Sequence, residues 1–475
     1  MPDRSYDIGM IGLGTMGRNL VLNMAQHGFA VAGYDKGAAQ LAALEQQGRG
    51  LDVYAASSLE ELVDVLQKPR TVMLLVPAGK VVDDVIDELL PYLGEGDLVI
   101  DGGNSHYKDT DRRSEALARH RIHFLGIGIS GGEQGARHGP SLMPGGSPEV
   151  YERVRPIFEA IAARVDGEPC VAWLGHGSAG HFVKMVHNGI EYALMQLIAE
   201  TYDMMKRGLG FDSSQLHKVY QRWNRGELQC YLLEITANIF AQVDDKTGKH
   251  LVDLTLDEAE QKGTGMWTTE TTLQLHVPAP IIDMAVAMRD MSSYKNLRTE
   301  AAQFLCGPQA RYSGDADVLL SSLHNALHMG MILAYSQGMA LLRTASERFG
   351  FELDLGKIAR VWRGGCIIRS AMLEDILAAY SRRPDLPDLI SDGQFVRKLQ
   401  TLQDDLRNVV VIGARIGVPV PCHMAGLAYF DSYRSRWLPA NLIQAQRDYF
   451  GAHTYRRVDM PGAFHTHWAG AEEAL

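Results

Sequence analysis

Cysteine is scarce and unpatterned in this chain. Five are scattered over 475 residues, Cys170, Cys230, Cys306, Cys366 and Cys422, with no C-x-x-C pair. The odd count and wide spacing argue against a disulfide framework or a zinc site, so no metal is expected. A reducing, cytoplasmic compartment fits best. Long apolar runs are missing too. No stretch reaches the roughly 18 apolar residues that a bilayer span needs, so no membrane segment is expected. The polar start, Met1 to Tyr6, leads straight into Ile8–Gly14 and leaves no room for a signal peptide. Positive charge is in deficit: 46 Lys+Arg against 57 Asp+Glu give a formal net charge of −11. Such a surface repels a phosphate backbone and excludes general nucleic-acid binding. An anionic ligand must then be held by a few local basic groups.

What is present is globular. Hydrophobic residues make up 46% and charged residues 22%, which excludes disorder and fibrous rods. At about 150 residues per domain the length provides for two or three domains. Glycine is in excess: 48 residues, against an average usage of roughly 7%.

The first third alternates strand and helix signals. Tyr6–Ile11, Phe29–Tyr34, Val72–Val76 and Leu98–Ile100 read as buried strands, with helices over Arg18–His27 and Gly37–Gln47. The nearly continuous apolar runs suit a doubly wound parallel sheet. Gly12-x-Gly14-x-x-Gly17 lies between the first strand and helix, the setting that a dinucleotide fingerprint requires. There the first glycine makes the turn, the second admits a pyrophosphate, and the third packs helix on strand. Asp35 ends the second strand, where an acidic residue accepts a bond from a ribose 2′-hydroxyl or simply closes a local turn. Lys36 follows and could pair with a 2′-phosphate.

From Gly180 onward, 3.6-residue periodicity replaces strand signals. Gln196–Trp223 and Gln337–Trp362 echo each other, Gly210-Phe211 against Gly350-Phe351 and Trp223 against Trp362. The offset of about 140 residues is too long for a solenoid and suggests a duplicated helical unit. The expected organisation is a Rossmann-type α/β domain over residues 1–178, an all-helical, duplicated domain over 179–438, and a tail over 439–475. The aromatic and basic tail cannot make its own core and must lie on its own domain or on a partner.

Chemistry concentrates in the second domain's first helix. Lys184, Asn188 and Glu191 stand at i, i+4 and i+7 and form one stripe, flanked by His187 and Tyr192. Glycine-rich loops, Asp101–Ser105, Ser130–Glu133 and Met143–Gly146, follow apolar segments, where backbone N–H groups can meet an anion. Glu260–Thr268 contains Lys262 and Thr264, a set suited to a phosphate but without Walker spacing.

G-x-G-x-M-G at Gly12–Gly17, D-G-G-N-S at Asp101–Ser105, Ser130–Gly146, Phe182–Tyr192, K-G-T-G at Lys262–Gly265, W-R-G-G-C-I-I-R-S at Trp362–Ser370 and the tail Pro439–Tyr455 together resemble the 6-phosphogluconate dehydrogenase family. The resemblance implies oxidative decarboxylation of a small phosphorylated sugar acid by a homodimer whose tail reaches into the partner. It implies Lys184 as base and Glu191 as acid. Asn104, His187 and Asn188 would hold substrate hydroxyls, and Ser130, Gly131 and Gly132 the carboxylate. Tyr192, Lys262, Thr264 and Arg289 would hold the phosphate, with Arg447 and His453 of the partner subunit. The cofactor would lie on Gly12, Leu13, Gly14, Thr15, Met16 and Gly17, on Asp35 and Lys36, on Val76, Pro77 and Ala78, and on Asn104. As base, Lys184 must start neutral, which needs a depressed pKa, and once protonated it replaces a metal ion. The family default is NADP, held by Asn-Arg followed by Thr or Ser. Asp35-Lys36-Gly37 departs from that and implies a relaxed or NAD-shifted preference. A shorter β-hydroxyacid dehydrogenase would share the fingerprint and the lysine helix but would not need the duplication, K-G-T-G or Arg447. An inert scaffold would be expected to lose Lys184 or Glu191.

Overall fold

Seven strands form one sheet: β1 (Ile8–Ile11), β2 (Val31–Tyr34), β3 (Val53–Ala55), β4 (Thr71–Leu74), β5 (Leu98–Asp101), β6 (His123–Ser130) and β7 (Ser141–Pro144). Their order is β3-β2-β1-β4-β5-β6-β7. All neighbours are parallel except β6 and β7, which pair antiparallel. The sheet is therefore mixed, not wholly parallel as the sequence suggests. The fingerprint loop after β1, Asp35 after β2, Val76 after β4, Gly102 after β5 and Ser130 at the end of β6 all lie at the carboxyl ends of parallel strands, the edge where open α/β sheets bind ligands.

This computed structural model describes residues 5–308 and 310–468. Around the sheet run α1 (Thr15–Gln26), α2 (Ala38–Gln47), α3 (Leu59–Asp64), α4 (Lys80–Leu89), α5 (Tyr107–Ala118), α6 (Gly132–His138) and α7 (Pro148–Ile161). One apolar cluster, with Met10, Leu20, Ile127 and Phe158, and a second, with Ile11, Val72, Val99 and Leu117, fill the space around the strands. At about 25 cal/mol per Å2 buried, such clusters supply most of the drive to fold.

The helical part follows as α8 (Ala179–Asp203), α9 (Ser213–Trp223), α10 (Tyr231–Ala241), α11 (Thr264–Gln274), α12 (Pro280–Ser293), α13 (Lys295–Ala301), α14 (Ala316–Phe349), α15 (Leu355–Trp362), α16 (Met372–Arg382), α17 (Gly393–Ile416), α18 (Pro421–Tyr433) and α19 (Ala440–Gly451). The sequence echo has a structural counterpart. Helix α8, prolonged by a π turn over Met204–Leu209, stops at Gly210 in the left-handed region (φ 75°), and α14 stops at Gly350 likewise (φ 66°). Only glycine enters that conformation at little cost, so it terminates both long helices. A shorter helix ending in a buried tryptophan follows each, Trp223 after one and Trp362 after the other. Helix α14 is long and apolar enough to cross a bilayer by length and composition, but 78% of its most apolar window is buried inside the protein.

Helix α8 lies unusually close to the sheet, and glycines make this possible. A Cβ on Gly180 would stand 2.4 Å from the carbonyl oxygens of Gly126 and Met143, and one on Gly145 only 2.3 Å from the Gly180 nitrogen. Gly145 is thus a packing residue, where the sequence alone suggests an anion-binding loop. Bare strand backbone against bare helix backbone sets Lys184 directly on β6.

Contacts divide the chain into two compact units, Met1–Gly426 and Leu427–Leu475. In the second, α19 buries only Asp448. That carboxylate accepts bonds from the Thr454 and Thr466 amides, His465 and the Trp468 indole. Burial would raise its pKa, but these donors outweigh burial and hold it at about 2. Leu442, Ile443 and Phe450 remain exposed.

Candidate active site

The glycine fingerprint folds as its spacing implies. Gly12 has φ +96°, and a Cβ there would meet the Leu75 carbonyl oxygen at 2.4 Å. A Cβ on Gly17 would fall 1.8 Å from the Gly12 oxygen, so α1 rests on the loop itself. Gly14, the N-cap of α1, has nothing within 4 Å of an added Cβ. The first turn of α1 carries no acidic residue, which leaves its free N–H groups open to an anion.

Beside this loop is a cavity of about 770 Å3, lined in part by Gly12, Gly14, Asp35, Lys36, Val76 and Pro77. Leu13, Met16 and Gly17 instead pack into the fold, while Thr15, Ala78 and Asn104 are exposed. Both oxygens of Asp35 are engaged by backbone: Leu13 donates its N–H at 2.7 Å and Gly37 at 2.8 Å. The local-turn reading of Asp35 is thus realised, and the same carboxylate still borders the cavity. Lys36 Nζ is paired with Glu88 at 2.8 Å, at the exposed edge of the cavity. The far wall comes from α4, whose Val81, Asp84, Val85 and Glu88 share one face and line the cavity with Asp87. Nothing local in the sequence ties that helix to the fingerprint.

The stripe on α8 forms a buried hydrogen-bonded unit. Lys184 Nζ donates to Asn188 Oδ1 at 2.7 Å. His187 Nδ1 lies 3.1 Å from the same oxygen and its Nε2 lies 3.3 Å from Ser130 Oγ. With Nδ1 protonated, Nε2 accepts the Ser130 hydroxyl. Asn188 Nδ2 donates to Thr264 Oγ1 at 2.9 Å, which fixes the amide's orientation and joins α8 to the start of α11. Glu191 Oε2 is 3.6 Å from His187 Nδ1, with a fifth of its side chain exposed. Burial lowers the pKa of Lys184 against the attraction of Glu191 and Cys366. Burial, joined by the Lys184 charge, drives His187 well below the imidazole range. Burial raises Glu191 against the pull of Lys184 and Arg289. Desolvation is the dominant cause in all three, and it moves the amine and the acid toward their neutral forms.

One turn further, the Arg289 guanidinium sits 3.7 Å above the Tyr192 ring and donates to the Glu260 carbonyl. Gly265 permits the approach of α11: a Cβ there would meet the Tyr192 ring at 2.5 Å. Lys262 is exposed at the mouth of that loop. Gly131 (φ +124°) and Gly132 (φ +60°) open α6 beside Ser130. Arg447 and His453 belong to the second unit, and both are exposed.

Two parts of the site escape sequence reasoning. The loop after α15 reaches Ser130: the Ile367 amide donates to Ser130 Oγ at 3.4 Å, and Gly131 packs on the Gly365 carbonyl. Buried Arg113 bonds Asp101, Ser105, Asp83 and the Gly79 carbonyl, so it ties the loop bearing Asn104 to the start of α4. The W-R-G-G run is the only local signal for the first. The second has none, because an internal arginine reads like any surface charge. Among the described residues, no group of three or more His, Cys, Asp or Glu is arranged to hold a metal ion.

A glycine-lined dinucleotide cavity on a Rossmann-type sheet, with a buried lysine and a partly buried carboxyl group on the first helix of an all-helical domain, defines a dehydrogenase. Residues 7–175 match the NAD binding domain of 6-phosphogluconate dehydrogenase, and residues 180–468 match the C-terminal domain of 6-phosphogluconate dehydrogenase. The chain is 50% identical to the NADP(+)-dependent, decarboxylating 6-phosphogluconate dehydrogenase of Bacillus subtilis, over 97% of this chain and 98% of the relative. It is 48% identical to the human decarboxylating enzyme, over 98% and 97%. A solved Plasmodium falciparum 6-phosphogluconate dehydrogenase, studied in its apo form and with NADP+ and 6-phosphogluconate, superposes with a TM-score of 0.94 at 43% identity, covering 97% of this chain and 100% of the other. The chain belongs to the 6-phosphogluconate dehydrogenase family and is an oxidoreductase.

Proposed function

We propose that this protein oxidises 6-phospho-D-gluconate at C3 and decarboxylates the product to D-ribulose 5-phosphate, as a step of the pentose phosphate pathway. The observation that carries this reading is the buried Lys184–Asn188 bond beside Glu191, at the ligand-binding edge of the sheet. A bound nicotinamide dinucleotide supplies the hydride acceptor. The residues that would hold it are Gly12–Gly17 at the pyrophosphate, Asp35 and Lys36 at the ribose, Val76–Ala78 along the strand end, and Asn104. Neutral Lys184 takes the C3 hydroxyl proton; its bond to Asn188 leaves the nitrogen lone pair for that task. As an ammonium it then stabilises the enolate left by CO2 loss, in a site dry enough for one charge to count. Glu191, whose pKa burial raises, in its acid form delivers a proton to the carbon that lost CO2. Asn104, His187 and Asn188 hold substrate hydroxyls, and Ser130, Gly131 and Gly132 hold the carboxylate. Tyr192, Lys262, Thr264 and Arg289 hold the phosphate.

The working form is a cytoplasmic homodimer in which Arg447 and His453 of the partner subunit complete the phosphate site. The exposed Leu442, Ile443 and Phe450 on α19 support a tail that docks on another chain. The cofactor is NADP by family default, with a relaxed or NAD-shifted preference from Asp35-Lys36-Gly37. The test is turnover of 6-phosphogluconate with NADP and with NAD, following reduced cofactor and CO2 together. Reduction without CO2, or no reduction with either cofactor, overturns the reading.

A further inference from the structure

The cavity beside the glycine fingerprint has an acidic wall on the side of Asp35 and Lys36, the residues that would meet the adenosine ribose of a bound dinucleotide. Its apolar surfaces, Leu59, Val81 and Val85 among them, suit an adenine ring. The charged lining is lopsided: among the described residues, Asp35, Asp84, Asp87 and Glu88 stand against the single cation Lys36. That cation is paired with Glu88, which offsets its charge. The one basic residue of α4, Lys80, is bonded to Asp84. Among the described residues, no arginine lines the cavity. Asp35 is anchored by two backbone N–H groups, so it cannot swing away from an incoming anion without losing both.

We propose that the carboxylates of α4, Asp84, Asp87 and Glu88, act with Asp35 as the cofactor discriminator and select the dinucleotide that lacks a 2′-phosphate. The inference rests on the dinucleotide reading of the cavity and adds residues from a helix remote in sequence. A 2′-phosphate brings close to two further negative charges into this rim. Like charges at short range disfavour it, and Glu88 keeps Lys36 from compensating. A ribose 2′-hydroxyl meets none of this, and it can donate to a free lone pair of Asp35.

The experiment measures direct binding of NAD and of NADP to the full chain without substrate, by calorimetry, at low and moderate salt. The same is done for Glu88→Gln and for Asp84→Asn/Asp87→Asn. The wild type is expected to bind NAD at least about tenfold more tightly than NADP. The NADP-to-NAD ratio of Kd should fall as salt screens the rim, since the Debye length is only about 10 Å at 0.1 M. It should fall again in both variants. A site that attracted the phosphate would show the opposite salt dependence. Equal or tighter NADP binding by the wild type overturns the proposal, as does a ratio unmoved by all the α4 substitutions. Because no turnover is read, failure to oxidise 6-phosphogluconate would sink the proposed reaction and leave this result standing.

Discussion

Gly128→Ala tests the claim that close backbone packing aims the reactive lysine. Gly128 lies in β6 under α8. A methyl there would stand 2.3 Å from Lys184 Cβ, 2.9 Å from its Cγ and 3.1 Å from the Gly180 carbonyl oxygen. Carbon pairs rest at about 3.5–4.0 Å, so strand and helix must separate locally by a little more than about 1 Å. Relief by tilting α8 is blocked, because Gly180 one turn earlier already lies against the Gly126 and Met143 carbonyls. Overpacking of this kind costs about 1–3 kcal/mol, well inside the stability of an ordinary domain, so the variant should fold. A displacement of about 1 Å at the reacting amine costs on the order of 100-fold in rate. That corresponds to about 2.7 kcal/mol of barrier. Steady-state kcat with 6-phosphogluconate, cofactor binding and thermal melting would be compared with Gly226→Ala, where an added Cβ meets nothing within 4 Å. The expected pattern is a large fall in kcat, a modest fall in Tm and near-normal cofactor affinity. A Gly128→Ala enzyme that folds and keeps kcat within a few-fold of wild type refutes the packing argument.

Lys184→Met should abolish turnover, retain dinucleotide binding and raise Tm at neutral pH. The sign follows from linkage: burial depresses the folded-state pKa below the unfolded one, so the unfolded chain binds the extra proton and Lys184 costs stability below its unfolded pKa. The Tm gain should shrink as pH rises toward 10.5, the ordinary lysine value; a lower Tm across the whole range would count against a desolvated amine. Arg447→Ala should raise the KM for the phosphorylated substrate. Inactive Lys184→Met subunits, mixed and reassorted with Arg447→Ala subunits, should restore the wild-type KM in about a quarter of the sites if each tail serves the other chain. No recovery, alongside an unchanged KM for Arg447→Ala, removes the tail from the site.

Much of the dinucleotide fold was legible because its signals are local. The strand, the Gly12–Gly17 loop and the helix are neighbours along the chain, and an apolar run followed by glycines has few other solutions. Boundaries moved by a few residues: α1 begins at Thr15, not Arg18, since the fingerprint's own end supplies its first turn. Two strands are not legible: β3 has three half-buried residues and no apolar run, and β7, Ser-Leu-Met-Pro, is bounded by a serine and a proline beside glycines and reads as loop. The glycine excess has two causes, and only the first is local in sequence. Gly12, Gly131 and Gly132 serve turns, but Gly126, Gly128, Gly145 and Gly180 are the seam between sheet and helix, and a seam is visible only when both sides are present.

The sequence by itself determined which residues could do chemistry. A spacing of i, i+4 and i+7 puts Lys184, Asn188 and Glu191 on one helical face whatever surrounds them. Tertiary structure alone decided what state those groups occupy. The neutral-leaning amine and acid follow from desolvation, and desolvation is the sum of walls brought in from β6, α11 and the loop after α15. The acidic rim of the cofactor cavity arises the same way, from α4 folding back over the glycine loop. Local geometry travels with the chain, whereas the local dielectric and field belong to whatever the fold assembles around a site.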